Sequence, residues 1–102
     1  MRYRVIPSPD AEADIDSAVR WYQRIDPNLA FRFTSEMRAI QRRIKHTPYQ
    51  FPLVKGGIRQ ALLRHFPFYI FYTLNEDLAT IIAVVHQRRS DTAWIDRRNG
   101  RN

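Results

Sequence analysis

Along the chain, apolar positions recur first every second residue, then every third or fourth, and finally in two nearly unbroken runs. Arg2 to Ile6, RYRVI, alternates basic and apolar side chains, which predicts a short strand with Tyr3 and Val5 on its buried side. Pro7 ends it. Ser8-Pro9 then opens a helix: a serine cap, proline at the first helical position, and Asp10, Glu12 and Asp14 near the positive end of the dipole. Ala11, Ile15, Ala18, Val19, Tyr22 and Ile25 recur at spacings of three and four and make one apolar face, while Asp16 and Arg20 pair on a solvated one. Asp26-Pro27-Asn28 breaks this helix and begins another, with Leu29, Phe33, Met37, Ile40 and Ile44 along a single face. Arg38, Arg42, Arg43 and Lys45 fall outside that row, and Thr47-Pro48 stops the helix.

Residues 48 to 57, PYQFPLVKGG, read as a loop whose Gly-Gly pair turns the chain into a strand. That strand is Ile58 to Arg64, and Phe68 to Leu74 and Leu78 to Gln87 are the next two, joined by a tight Asn75-Glu76-Asp77 turn. The runs Phe68 to Tyr72 and Ile81 to Val85 have the near-continuous apolar character of central strands with little water on either face. Asp91 to Arg98 is expected to form a last helical turn capped by Ser90 or Asp91, and residues 99 to 102 a frayed tail. The order β-α-α-β-β-β predicts an α+β fold: one domain over residues 1 to 102, with a helical hairpin on one face of a small, mainly antiparallel sheet.

Composition supports a packed core and narrows the chemistry. A chain of 102 residues with 44% hydrophobic content can bury one, and with no cysteine it has neither disulfides nor a thiol nucleophile. With no apolar run long enough to span a bilayer and no apolar stretch at the N-terminus, a soluble cytoplasmic protein is expected. The net charge of +7 is uneven: residues 1 to 37 carry −1 and residues 38 to 102 carry +8. That asymmetry favours an acidic or nucleic-acid partner for the C-terminal side, against the plainer reading of a basic protein kept soluble by its charge.

Phosphate-loop, hydrolase and helix-turn-helix patterns are absent. The carboxylates of the first helix point in different directions, and His46, His65 and His86 lie on separate elements. Neither a metal site nor a cofactor is therefore expected. Strand alternation places Ile82, Val84 and His86 on one parity, with Arg88 following, and Gln60, Leu62 and Arg64 on another shared one. A site of Arg64, His86 and Arg88 on the uncovered side of the sheet follows, with Tyr69 or Tyr72 between them according to the register. Such a group suits RNA cleavage, with His or Tyr as acid or base and Arg neutralising developing charge. It equally suits binding, with arginines pairing to carboxylate or phosphate. The plainest reading is a hydrogen-bonded structural histidine beside a solvated strand end.

The chain resembles the ParE/RelE superfamily of type II toxin–antitoxin toxins, and lies nearer to ParE. The residues that carry the likeness are Ala11-x-x-Asp14-Ile15, Trp21-Tyr22, the helix ending His46-Thr47-Pro48, Ile58-Arg59, Leu63 to Phe68, Phe71-Tyr72, and Val85 to Arg89 with Trp94 and Arg97. The resemblance implies a toxin neutralised by a cognate antitoxin with an acidic or amphipathic segment. ParE-like members act on DNA gyrase, and RelE-like members cut messenger RNA in the ribosome. RelE-like ribonucleases carry lysines on the strand that here reads Arg59 to Leu62, an arginine near Tyr69 and a tyrosine near Trp94; only Arg88 matches that pattern. The first expectation is thus a non-enzymatic gyrase inhibitor whose contact residues are Arg59, Tyr72, Arg88, Arg89, Trp94 and Arg97. The second is a ribosome-dependent mRNA endonuclease using His86, Arg64 and Arg88. The third is a non-toxic module that only binds antitoxin.

Overall fold

Two adjoining capped helices fold back over a sheet of which the second half of the chain supplies four of the five strands. The computed structural model describes residues 3–89 and residue 95. Strand β1 (Arg4–Pro7) leads into helix α1 (Pro9–Ile25), whose first turn is capped by Ser8: its Oγ accepts the Ala11 N–H at 3.1 Å. Asp26 alone joins α1 to α2 (Pro27–His46). Its backbone N–H closes α1 on the Tyr22 carbonyl, and its carboxylate accepts the Asn28 N–H that opens α2. A residue serving both helices leaves no slack in the connection, so the hairpin is tight.

A 3-10 turn (Pro48–Gln50) follows, then β2 (Leu53–Lys55), β3 (Ile58–Leu62), β4 (Phe68–Asn75) and β5 (Leu78–His86). The sheet order is β1-β5-β4-β3-β2, with β1 parallel to β5 and every other pair antiparallel. The sequence pattern misses β2, a short exposed edge strand inside the expected loop, because three residues carry too little periodicity. Gly56 and Gly57 make the hairpin between β2 and β3 with φ of 47° and 81°, a region closed to most side chains. Among the described residues no helix is long and apolar enough to cross a membrane.

The sheet is buried on both faces. Beneath the helices, Tyr22, Phe33, Phe66 and Phe68 pack with ring centroids 5.0–6.4 Å apart, and Met37, Ile40, Ile44, Ile70, Ile81 and Val84 extend that core. On the opposite face Ile58, Phe71, Ile82, Ala83 and Val85 form a second cluster, with Tyr69 and Ile95 against it. The near-continuous apolar runs are thereby explained. The expectation of an uncovered sheet face is not met, since the second face is an apolar core of its own. Ile25, expected on the buried face of α1, is 59% exposed, because the hairpin tip runs beyond the sheet.

One irregularity decides which side chains share a face. Phe71 pairs with Ala83, but the next residue, Tyr72, pairs with Ile81, so Ile82 is an extra residue in β5. A bulge of this kind breaks the two-residue alternation. Ile81 and Val84 consequently both point to the helices, while Ile82, Ala83 and Val85 point away. Ile82 therefore does not share a face with Val84 and His86, as unbroken alternation predicts.

Candidate functional site

Arg64, His86, Arg88 and Arg89 gather at one end of the sheet, where β3 and β5 finish and β4 begins. The Leu63 N–H bonds the Phe68 carbonyl and the Gln87 N–H bonds the Pro67 carbonyl, which ties the 63–67 turn and the segment after β5 to the start of β4. His86 pairs with Phe68 across the strands, and its imidazole lies edge-on to the Phe68 ring at 5.1 Å. Its Nδ1 accepts the Arg88 N–H at 3.1 Å. A neutral His86 ring thus carries its proton on Nε2.

Because of the bulge, His86 faces the helix side. It lines a groove of about 370 Å³ between α1 and the end of β5, with Asp14, Trp21, Phe68 and Arg89 also on its walls. β1 pairs with β5 only as far as Ile81, so β5 beyond that point has α1 beside it instead of a strand. The freed Val84 N–H is accepted by the Asp14 carboxylate at 3.0 Å. Sequence reading treats Asp14 only as a dipole-complementing acid; its place in the Ala11-x-x-Asp14-Ile15 fragment is the signal for this second role.

Arg64 lies on the α2 side. It lines a separate cavity of about 230 Å³ with Glu36, Arg43 and His65. The Glu36 carboxylate accepts the N–H groups of Arg64 and His65 at 3.0 and 3.1 Å and meets His65 Nδ1 at 2.5 Å. Burial alone would push the Glu36 carboxyl up; the His65 and Arg64 N–H groups and the His65 ring outweigh it and hold the group below its ordinary value of 4.5. The structure thus brings His86 and Arg89 to one groove and places Arg64 in another, while Arg88 is exposed at the turn that follows β5.

The tyrosines divide between the two faces. Tyr69 belongs to the second cluster, opposite Val85. Tyr72 is 0% exposed beneath the 3-10 turn, where its hydroxyl donates to the Pro48 carbonyl at 2.6 Å. Burial pushes its phenol up to about 12, against the opposing pull of the Arg59 guanidinium. A side chain without exposed surface cannot contact a partner, so the binding role expected of Tyr72 gives way to a structural one. Arg59 serves the same segment: its guanidinium donates to the Phe51 carbonyl at 2.7 Å and lies 4.9 Å from the centre of the Tyr49 ring. Trp94 and Arg97, with the expected turn around them and the 99–102 tail, lie outside the described residues. Among the described residues no three His, Asp or Glu side chains gather as a metal ion would require.

No curated protein matches the chain significantly. Ten chains of solved structures do. One, described as the chromosomal ParDE TA system from P. aeruginosa, superposes with a TM-score of 0.73 at 17% identity, covering 82% of this chain and 95% of that one. At that identity the likeness is one of fold: two helices on a five-stranded, mostly antiparallel open sheet. The family model described as "ParE toxin of type II toxin-antitoxin system, parDE" matches residues 5–91, which takes in both described helices and, but for Arg4, all five described strands. The chain therefore belongs to the ParE toxin family of type II toxin–antitoxin systems.

Proposed function

We propose that the chain is a cytoplasmic, non-enzymatic toxin that inhibits DNA gyrase and is held harmless by a cognate antitoxin. The observation that carries the choice of mode is the separation of Arg64 from His86: the two residues best suited to acid, base or phosphate chemistry line different cavities. The His86 Nδ1 is moreover engaged by the Arg88 backbone. A catalytic pair must reach one reacting group, and general acid–base work requires hydrogen-bond reach of the proton transferred. Contact with a large protein target needs only presented residues, and Arg64, Arg88 and Arg89 are exposed at one end of the sheet. The antitoxin supplies an acidic or amphipathic segment that masks these cations. The structural neighbour, a chromosomal ParDE TA system, supports such a partner.

The test is a supercoiling assay with purified gyrase, relaxed plasmid and the purified chain, beside a translating extract with labelled messages. Blocked supercoiling with intact messages is the expected result. Unaffected supercoiling with cut messages would sink the proposal and favour the endonuclease alternative. One observation favours that second reading: the groove beside His86 also holds Arg89 and Asp14, so an imidazole, a guanidinium and a carboxylate do share a cavity. Neither effect, with antitoxin binding retained, would identify a non-toxic binding module.

A further inference from the structure

The face of α2 turned away from its buried row lies apart from the site at the sheet end, and α2 carries more basic side chains than any other described element. α2 carries Arg32, Arg38, Arg42, Arg43 and Lys45 against a single acid, Glu36, which is committed to His65. At 100° per residue, Arg38, Arg42 and Lys45 fall within about 60° of one another, directly opposite Glu36. Gln41 lies at the edge of that stripe, and the four residues with Val5 of β1 border a shallow cavity of about 300 Å³. Among the described residues none of these three cations has an ion-pair partner. Like charges set in a row repel one another, and i,i+4 repulsion between Arg38 and Arg42 weakens the helix slightly. Only Lys45, in the last turn of α2, is favoured there by the helix dipole.

We propose that this stripe is a phosphate-backbone binding face for double-stranded DNA, which goes beyond the gyrase reading above. Over the seven steps from Arg38 to Lys45 the helix rises about 10 Å. Three cations spread over that length can each meet a phosphate of a duplex, whose charges are spaced about 3.4 Å along each strand. Arginine forks fit phosphate oxygens, and glutamine is a common further donor to them. Single-stranded nucleic acid is a poorer match, because its capture relies on aromatic side chains stacking against bases. The one aromatic on the stripe is Phe31, 70% exposed but two helical turns before Arg38. An acidic protein segment is poorer too, since hot spots of protein interfaces need apolar anchors and the stripe from Arg38 to Lys45 offers none of its own.

The experiment is a fluorescence-anisotropy titration of the full chain against a labelled duplex of about 20 base pairs and arbitrary sequence, between about 50 and 200 mM salt. Removing three phosphate contacts in Arg38→Gln/Arg42→Gln/Lys45→Gln should flatten the plot of log K against log salt by about 2.7. Over that salt range the wild type then loses about 40-fold more affinity than the variant. Arg4→Gln/Arg20→Gln/Arg24→Gln removes the same charge from β1 and α1 and should keep the wild-type slope. Circular dichroism checks that each variant folds; if the triple variant does not, Arg42→Gln alone should flatten the slope by about 0.9. Equal flattening by both triple variants would reduce the effect to net charge and overturn the proposal. Tighter binding of a single-stranded RNA of equal length, or of polyglutamate, would assign the face to another partner and overturn it as well. Because gyrase is absent from the assay, its outcome is independent of the toxin's target.

Discussion

The Glu36 carboxylate of α2 holds the His65 imidazole at 2.5 Å and, through its other oxygen, the backbone N–H groups of Arg64 and His65. A single side chain thus anchors the turn between β3 and β4 to the helix above it. Glu36 has a depressed folded pKa, so its contribution is fully present above the unfolded value and is lost as pH falls through the folded one. Stability of the wild type should therefore decline from about pH 5 downward, and Glu36→Gln should show a shallower decline over the same range. Loss of the two backbone bonds in Glu36→Ala should cost about 1–2 kcal/mol at neutral pH. Urea unfolding at a series of pH values reads both effects.

Tyr72 should resist ionisation. Burial raises its phenol to about 12, so folding favours the protonated form. That contribution is whole below the unfolded tyrosine value near 10 and disappears as pH rises through about 12. Ultraviolet titration should show one tyrosine ionising last, together with loss of structure. Tyr72→Phe should remove the late step and, by orphaning the Pro48 carbonyl, destabilise the protein by about 1–2 kcal/mol at neutral pH.

The bond from Val84 to Asp14 substitutes for the strand that β1 does not provide past Pro7. Asp14→Ala should leave the Val84 N–H without its acceptor and cost about 1–2 kcal/mol. Asp14→Asn keeps an acceptor oxygen and should cost less. Amide hydrogen exchange gives a local reading: Val84 protection should fall selectively in Asp14→Ala, and a uniform fall would instead mean general loosening.

How far the fold could be read from the sequence depends on how local its signals are. Ser8 and Asp26 announce their helices because capping involves neighbours three residues away or fewer, and both helix boundaries lie where the caps and prolines put them. The long strands announce themselves by apolar runs. Two features did not. The three residues of β2 have no pattern of their own. The bulge at Ile82 leaves no mark in the apolar run from Ile81 to Val85, and a single shifted residue reverses the face of everything after it. For that reason the sequence could name Arg64 and His86 but could not place them, and the register between Tyr69 and Tyr72 resolves only in three dimensions.

His86 offers the sharpest functional prediction, because its chemistry and its structure point to different outcomes. If the residue only shapes the end of β5, what it supplies is an Nδ1 acceptor for the Arg88 N–H and an edge against Phe68. His86→Asn replaces the acceptor at roughly the Nδ1 position, and His86→Ala removes it. Under the gyrase reading, inhibition of supercoiling by the Asn variant should remain within about twofold of wild type, and the Ala variant should lose activity only in step with any loss of stability. A general acid or base would behave otherwise: removing it costs typically 10²- to 10⁴-fold, and Asn would be no better than Ala. Growth arrest and supercoiling measured side by side for the two variants separate these cases. A hundredfold loss common to both, with unfolding curves unchanged, would return His86 to catalysis.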